Sequence, residues 1–185
     1  QRWFWAPEVY YIASKNKFYM YFTADEHIGV ATADSPLGPF TQDVKEPMWK
    51  DAKAIDNSLY IDEDGTPYLY FVRFTDGSVV WVAELEDDLK TIKSETLRSC
   101  IQVSQGWENI QGRINEGPFV IKHEGLYYMT YSANHFESPY YGVGYATASS
   151  PTGPWTKYSG NPILQKPQNY IGVGHHSLFW DKEGQ

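Results

Sequence analysis

Apolar positions along the chain fall into short runs separated by polar turn sequences, and the runs repeat on a common plan. "PEVYYIASKNKFYMYFT", "DNSLYIDEDGTPYLYFV", "EGPFVIKHEGLYYMTYS" and "HHSLFWDKEGQ" each open with a polar or acidic lead, continue into an apolar strand and reach a polar turn; the first three then enter an aromatic strand. Their heads are Pro7, Asp56, Glu116 and His175, spaced 49, 60 and 59 residues apart. A second element repeats as well: "GVATADSPLGPF" from Gly29 and "GYATASSPTGPW" from Gly144 share Ala-Thr-Ala-x-Ser-Pro-x-Gly-Pro-aromatic. Within a unit the pattern predicts strand, turn, strand, loop, a third strand ("HIGVATA", "SVVWVAEL", "YYGVGYATA") and a weaker fourth. No segment of useful length has a 3.6-residue period.

Four strands per unit, repeated in tandem at this spacing, predict an all-β fold of β-propeller blades. The chain supplies three units and the first strand of a fourth, whereas the smallest closed propellers have about four blades. The expectation is a single partial propeller domain over 1–185, with no internal boundary, completed by further blades from the same parent chain or a neighbouring chain.

Composition narrows the function. With 15 tyrosines, 9 phenylalanines and 7 tryptophans in 185 residues, the aromatic content suits sheet and ring-stacking ligand surfaces. A net charge of −8 without a basic cluster argues against nucleic acid. No apolar stretch approaches membrane-spanning length and no signal peptide is visible. The single cysteine, Cys100, excludes an intrachain disulfide and a multi-cysteine metal site, and reads as a small buried hydrophobe.

Several acids have plain local readings. Asp62 and Asp64 beside Gly65 are hairpin-turn chemistry. A calcium loop opening at Asp62 fails, because Pro67 stands at its sixth position and Arg73 at its twelfth. Asp56 stands apart from that turn. First strands of propeller blades line the central channel, so unit heads converge near the axis: Asp56, Glu116 and His175, with Trp5 just ahead of the first head. Two converging carboxylates suit acid/base glycoside hydrolysis. Taken singly, Asp56 reads equally as a strand cap, Glu116 as a charged loop residue, His175 as a buried hydrogen-bonding histidine and Trp5 as core. Neither "DNSLY" nor "HHSLF" has the Gly-x-Ser-x-Gly elbow, and there is no His-Glu-x-x-His pair for zinc.

At these residues the chain resembles the family 43 glycoside hydrolases, five-bladed propellers acting on arabinose- and xylose-containing polysaccharides with inversion. "WAPEV", "IDNSLYIDEDGTPYLYF", "EGPFVIKHEGLYYMTYS" and "GHHSLF" look like four of the family's motifs in order. The resemblance implies Glu116 as general acid, Asp56 as the carboxylate that raises its pKa and holds it in place, Trp5 as a stacking wall of the sugar subsite, and His175 deep in the channel against substrate or an axial ion. Arg113 is implied as a charge partner of the acids. It also implies arabinoxylan, arabinan or their oligosaccharides as substrates, no required cofactor, a structural Ca2+ on the axis as an optional ion, and a secreted or periplasmic location. The family's general-base aspartate lies upstream of Trp-Ala-Pro and a substrate-binding arginine lies in the last blade; neither has a counterpart here, so the segment alone is expected to be inactive. Rival readings are a retaining propeller glycosidase, a non-catalytic carbohydrate-binding propeller and an interaction scaffold.

Overall fold

The computed structural model describes residues 3–166 and 170–179. Three antiparallel sheets follow one another along the chain. The first holds β1 (Phe4–Ile12), β2 (Lys17–Ala24) and β3 (His27–Ala33), with a single bridge from Thr32 to Thr41 in place of a fourth strand. The second is a complete four-stranded blade: β4 (Ala54–Ile61), β5 (Pro67–Phe74), β6 (Ser78–Glu84) and β7 (Arg98–Ile101). The third holds β8 (Asn115–His123), β9 (Leu126–Ala133), β10 (Gly142–Ala148) and β11 (Thr156–Lys157), and the short β12 (Leu164–Gln165) also pairs with β10. The blades are those of a propeller. Each is a meander joined by tight turns such as Asp62–Gly65, where the Gly65 N–H donates to the Asp62 carbonyl and Gly65 takes φ +88°.

The expected first strand of a fourth unit is not formed at 175–179, and the rest of "HHSLFWDKEGQ" lies outside the described residues. In all three blades the first strand pairs with the strand that follows it in sequence; residues 175–179 have no such ladder.

Blade order explains the hydrophobic pattern. β5 is buried at every position from Pro67 to Val72 because both faces are covered. Leu69 and Phe71 join Ile12, Tyr21, Ile28 and Leu85 in a core toward the first blade. Tyr68, Tyr70 and Val72 join Val120, Met129 and Tyr131 in a core toward the third. Buried tyrosines find polar partners across the seams: the Tyr21 hydroxyl donates to the Leu89 carbonyl at 2.7 Å, and Tyr70 to Pro151 at 2.6 Å. Cys100 is half-buried against the second core, and burial pushes its thiol pKa well up.

Every blade head is bulged. The ladder slips between Trp5 and Glu8, between Ile55 and Ser58, and between Glu116 and Phe119. Ala6, Asp56 and Gly117 start these bulges with φ of +47°, +55° and +53°, and His175 has φ +49°. This corrects the phase read from the sequence. Asp56, Gly117 and His175 are equivalent positions; Glu116 stands one residue earlier, level with Ile55 and Trp5.

Candidate active site

The one-residue offset determines the geometry. Successive side chains on a strand point to opposite faces, and a bulge re-aims them. Asp56 at its bulge is buried, 4% exposed. Its N–H donates to Thr23 Oγ1 (3.2 Å) on the first blade, and its Oδ2 accepts the N–H of Gly117 (3.1 Å) on the third. Positive φ at Gly117 carries no Cβ penalty, and the His175 backbone packs within 3.3 Å of where that Cβ would sit. The Asp56 bond thus holds the residue beside Glu116.

Glu116 is half-buried, and its Oε1 accepts the Tyr141 hydroxyl at 2.8 Å. Its carboxyl pKa is pushed up to about 8, first by burial and then by the Asp56 charge, against a smaller downward pull from Tyr141. Burial also raises Asp56, but its anion is favoured by His175 and by the Gly117 N–H. With like charges adjacent, ionisation of one carboxyl disfavours ionisation of the other, so the pair tends to hold one proton between them. The arrangement can deliver a proton to a leaving oxygen.

His175 completes the cluster. Its Nδ1 lies 3.7 Å from Asp56 Oδ2, and its N–H donates to Ser132 Oγ at 2.7 Å. Ser132 is the ladder partner of Glu116 on β9, so His175 is anchored to the strand beside the acid. His176 bonds Thr130 Oγ1 through Nε2, and burial, then the charge of His175, lowers its pKa to about 4. It is neutral at physiological pH. A cavity of about 600 Å³ opens here, lined by Ala6, Pro7, Glu8, Phe119, His175 and His176 among others.

Trp5 packs on the core cluster containing Ile55 and Ala133, next in sequence to Asp56 and Ser132, and lines a groove with Met20, Phe22 and Phe40. Arg113 departs from its expected place beside the acids: its guanidinium pairs with Asp76 at the surface. The cause is the hairpin between β5 and β6, whose Ser78 N–H donates to the Arg113 carbonyl at 2.9 Å and so brings Asp76 within reach. Among the described residues no group of three or more His, Cys, Asp or Glu is arranged to hold a metal ion. The ligands present among the described residues do not make a complete calcium site.

Two residues escaped the sequence reading. Glu8 stands inside "WAPEV", and burial raises its pKa while the Tyr10 hydroxyl donates to it. Tyr10 in turn accepts the Leu59 N–H at 3.1 Å, tying β1 to β4 just past the Asp56 bulge. Glu8 was legible from its motif. Tyr141 was not, because it reaches Glu116 across 25 residues from the loop before β10.

Comparison with known proteins identifies the family to which this fold belongs. The model of the glycosyl hydrolases of family 43 matches residues 1–185. The crystal structure of an endo-1,4-β-xylanase from Bacteroides thetaiotaomicron VPI-5482 superposes with a TM-score of 0.96 at 57% identity, over 98% of this chain and 63% of that one. The arabinoxylan arabinofuranohydrolase of Bacillus subtilis is 31% identical over 95% of this chain and 38% of its own length. The β-D-galactofuranosidase xynD of Aspergillus niger is 30% identical over 88% of this chain and 46% of its own. The chain thus spans less than half the length of these two curated relatives. It belongs to the glycosyl hydrolases of family 43.

Proposed function

We propose that these blades carry the acid half of an inverting glycosidase acting on arabinofuranosyl or xylosyl residues of plant arabinoxylan, arabinan or their oligosaccharides. Glu116 is the general acid, giving its proton to the glycosidic oxygen as the bond to the anomeric carbon breaks. Asp56 stays ionised, keeps Glu116 protonated by its charge, and positions it through Gly117. Trp5 stacks on the reacting sugar and His175 contacts it at the channel floor. Water is activated by a carboxylate upstream of the Trp-Ala-Pro motif that begins at Trp5, at the roughly 6.5–9.5 Å separation that inversion requires. Further blades close the channel, and the polymeric substrates place the protein outside the cytoplasm. An axial Ca2+ beside His175 would draw its remaining ligands from those blades.

The observation that carries this reading is the geometry: a half-buried Glu116 stands beside a buried Asp56 whose Oδ2 accepts the Gly117 N–H, an arrangement that raises the Glu116 pKa through burial and the Asp56 charge. A general acid matters most when the leaving group is poor. In the full-length protein, Glu116→Gln should therefore cut kcat on xylo- or arabino-oligosaccharides by about 10²–10⁴-fold. Its effect on 4-nitrophenyl glycosides, whose leaving group needs little protonation, should be much smaller. Equal loss on both substrates would contradict the acid role, and binding without hydrolysis by the unaltered protein would make it a carbohydrate-binding propeller.

A further inference from the structure

Among the described residues, Arg73 forms no ion pair with a carboxylate. It is the penultimate residue of β5, its guanidinium over two indoles, 4.6 Å from the Trp81 ring centroid and 5.2 Å from that of Trp49. Its Nε is buried and has no hydrogen-bond partner among the described residues; the indole N–H groups of Trp49 and Trp81 are also buried and unpartnered. Neighbouring cations are treated differently. Lys50 pairs with Glu46, Lys53 with Glu26 and Arg113 with Asp76. In a chain with 23 acidic residues against 15 lysines and arginines, an unmatched arginine is not a surplus of positive charge.

Stacking on aromatic faces steadies a guanidinium but leaves its N–H donors in the ring plane, pointing outward at the edges. A planar acceptor meeting such an edge with two parallel bonds is a carboxylate. The location gives it a use. Arg73 is the ladder partner of Ala54, two residues ahead of Asp56 on β4. Strands lie about 4.8 Å apart, so the Arg73 backbone sits one strand outward from the channel wall at the end where Asp56 stands. Trp81 stands on β6, one strand farther out, and Trp49 in the loop leading into β4.

We propose that Arg73, clamped by Trp49 and Trp81, is a subsite for a carboxylate-bearing sugar, a uronic acid substituent on the glycan whose neutral backbone occupies the channel. This rests on the glycan-cleaving function proposed above.

The test uses the full-length protein made inactive by Glu116→Gln, titrated calorimetrically with xylotriose and with xylotriose bearing one glucuronosyl group. The acidic sugar should bind about tenfold more tightly at low salt, with the advantage shrinking as salt rises. Arg73→Gln should abolish the advantage and leave xylotriose binding unchanged, while Arg73→Lys, which keeps charge but loses the fork, should retain part of it. Equal binding of the two sugars, or an advantage that survives Arg73→Gln, overturns the proposal. Equal binding together with a lower melting temperature in Arg73→Gln would assign Arg73 to a carboxylate elsewhere in the protein's own chain. If neither sugar binds, the glycan reading fails and this subsite falls with it.

Discussion

At the scale of residues, the proposed acid role depends on keeping one proton on one carboxyl. Tyr141 donates to Glu116 Oε1 and favours the anion, so its removal should act opposite to removal of a negative neighbour. Tyr141→Phe is expected to move the basic limb of the kcat/KM profile of the full-length protein to higher pH. Gly174→Ala should do the same, because its Cβ would run into the Tyr141 ring and push the hydroxyl away. A pH–rate series on both variants checks this, and unmoved limbs would remove Tyr141 from the account. The raised pKa also has a stability consequence. Glu116 binds its proton more tightly folded than unfolded, so below the ordinary carboxyl pKa of 4.5 both states are protonated and there is no penalty. As pH rises from 4.5 toward 8 the unfolded chain ionises first, and stability falls by up to about 1.4 kcal/mol per unit, less where solvent screens the group. Glu116→Gln should therefore raise the melting temperature at pH 8 and leave it nearly unchanged at pH 4.5. Equal melting-temperature shifts at both pH values would contradict the raised pKa.

At the scale of elements, bulges convert a sequence repeat into a site. Asp56, Glu116, His175 and Trp5 stood out in the sequence because they fall near the head of each repeat, and the structure brings the first three together. Their register was not legible. Periodicity places a strand to within a residue or so, whereas a bulge with its first residue at positive φ is a backbone event that Asp56 and His175 do not announce in their side chains. Gly117 was the available signal, since glycine is the residue that adopts this conformation freely. Arg113 failed for a related reason: proximity in sequence to Glu116 counted for less than a hairpin from the neighbouring blade that delivered Asp76.

At the scale of the molecule, the propeller was legible because every blade repeats one pattern, and the uneven burial of its faces was not. β5 and β9 look alike in sequence, yet β5 is buried on both faces while Tyr128 and Thr130 of β9 are only half-buried. On the other outer side, Phe4 is exposed and Phe22 half-buried beside the groove at Trp5. Aromatic residues alternate through strands whose outward faces lack a neighbour here, which suits further blades packed on both sides. Residues 1–185 expressed alone should accordingly bind the dye ANS strongly, and the full-length protein weakly. Equal, weak dye binding would mean that these faces are not blade seams.

The most direct test of the central claim, that Asp56 keeps the Glu116 proton in place, is the pH dependence of kcat/KM for the full-length protein and its Asp56→Asn variant on an oligosaccharide substrate. The account predicts a basic limb near pH 8 that moves to lower pH when the Asp56 charge is removed, together with a fall in the maximum. A limb that stays in place in Asp56→Asn would show that another group sets the acid's pKa.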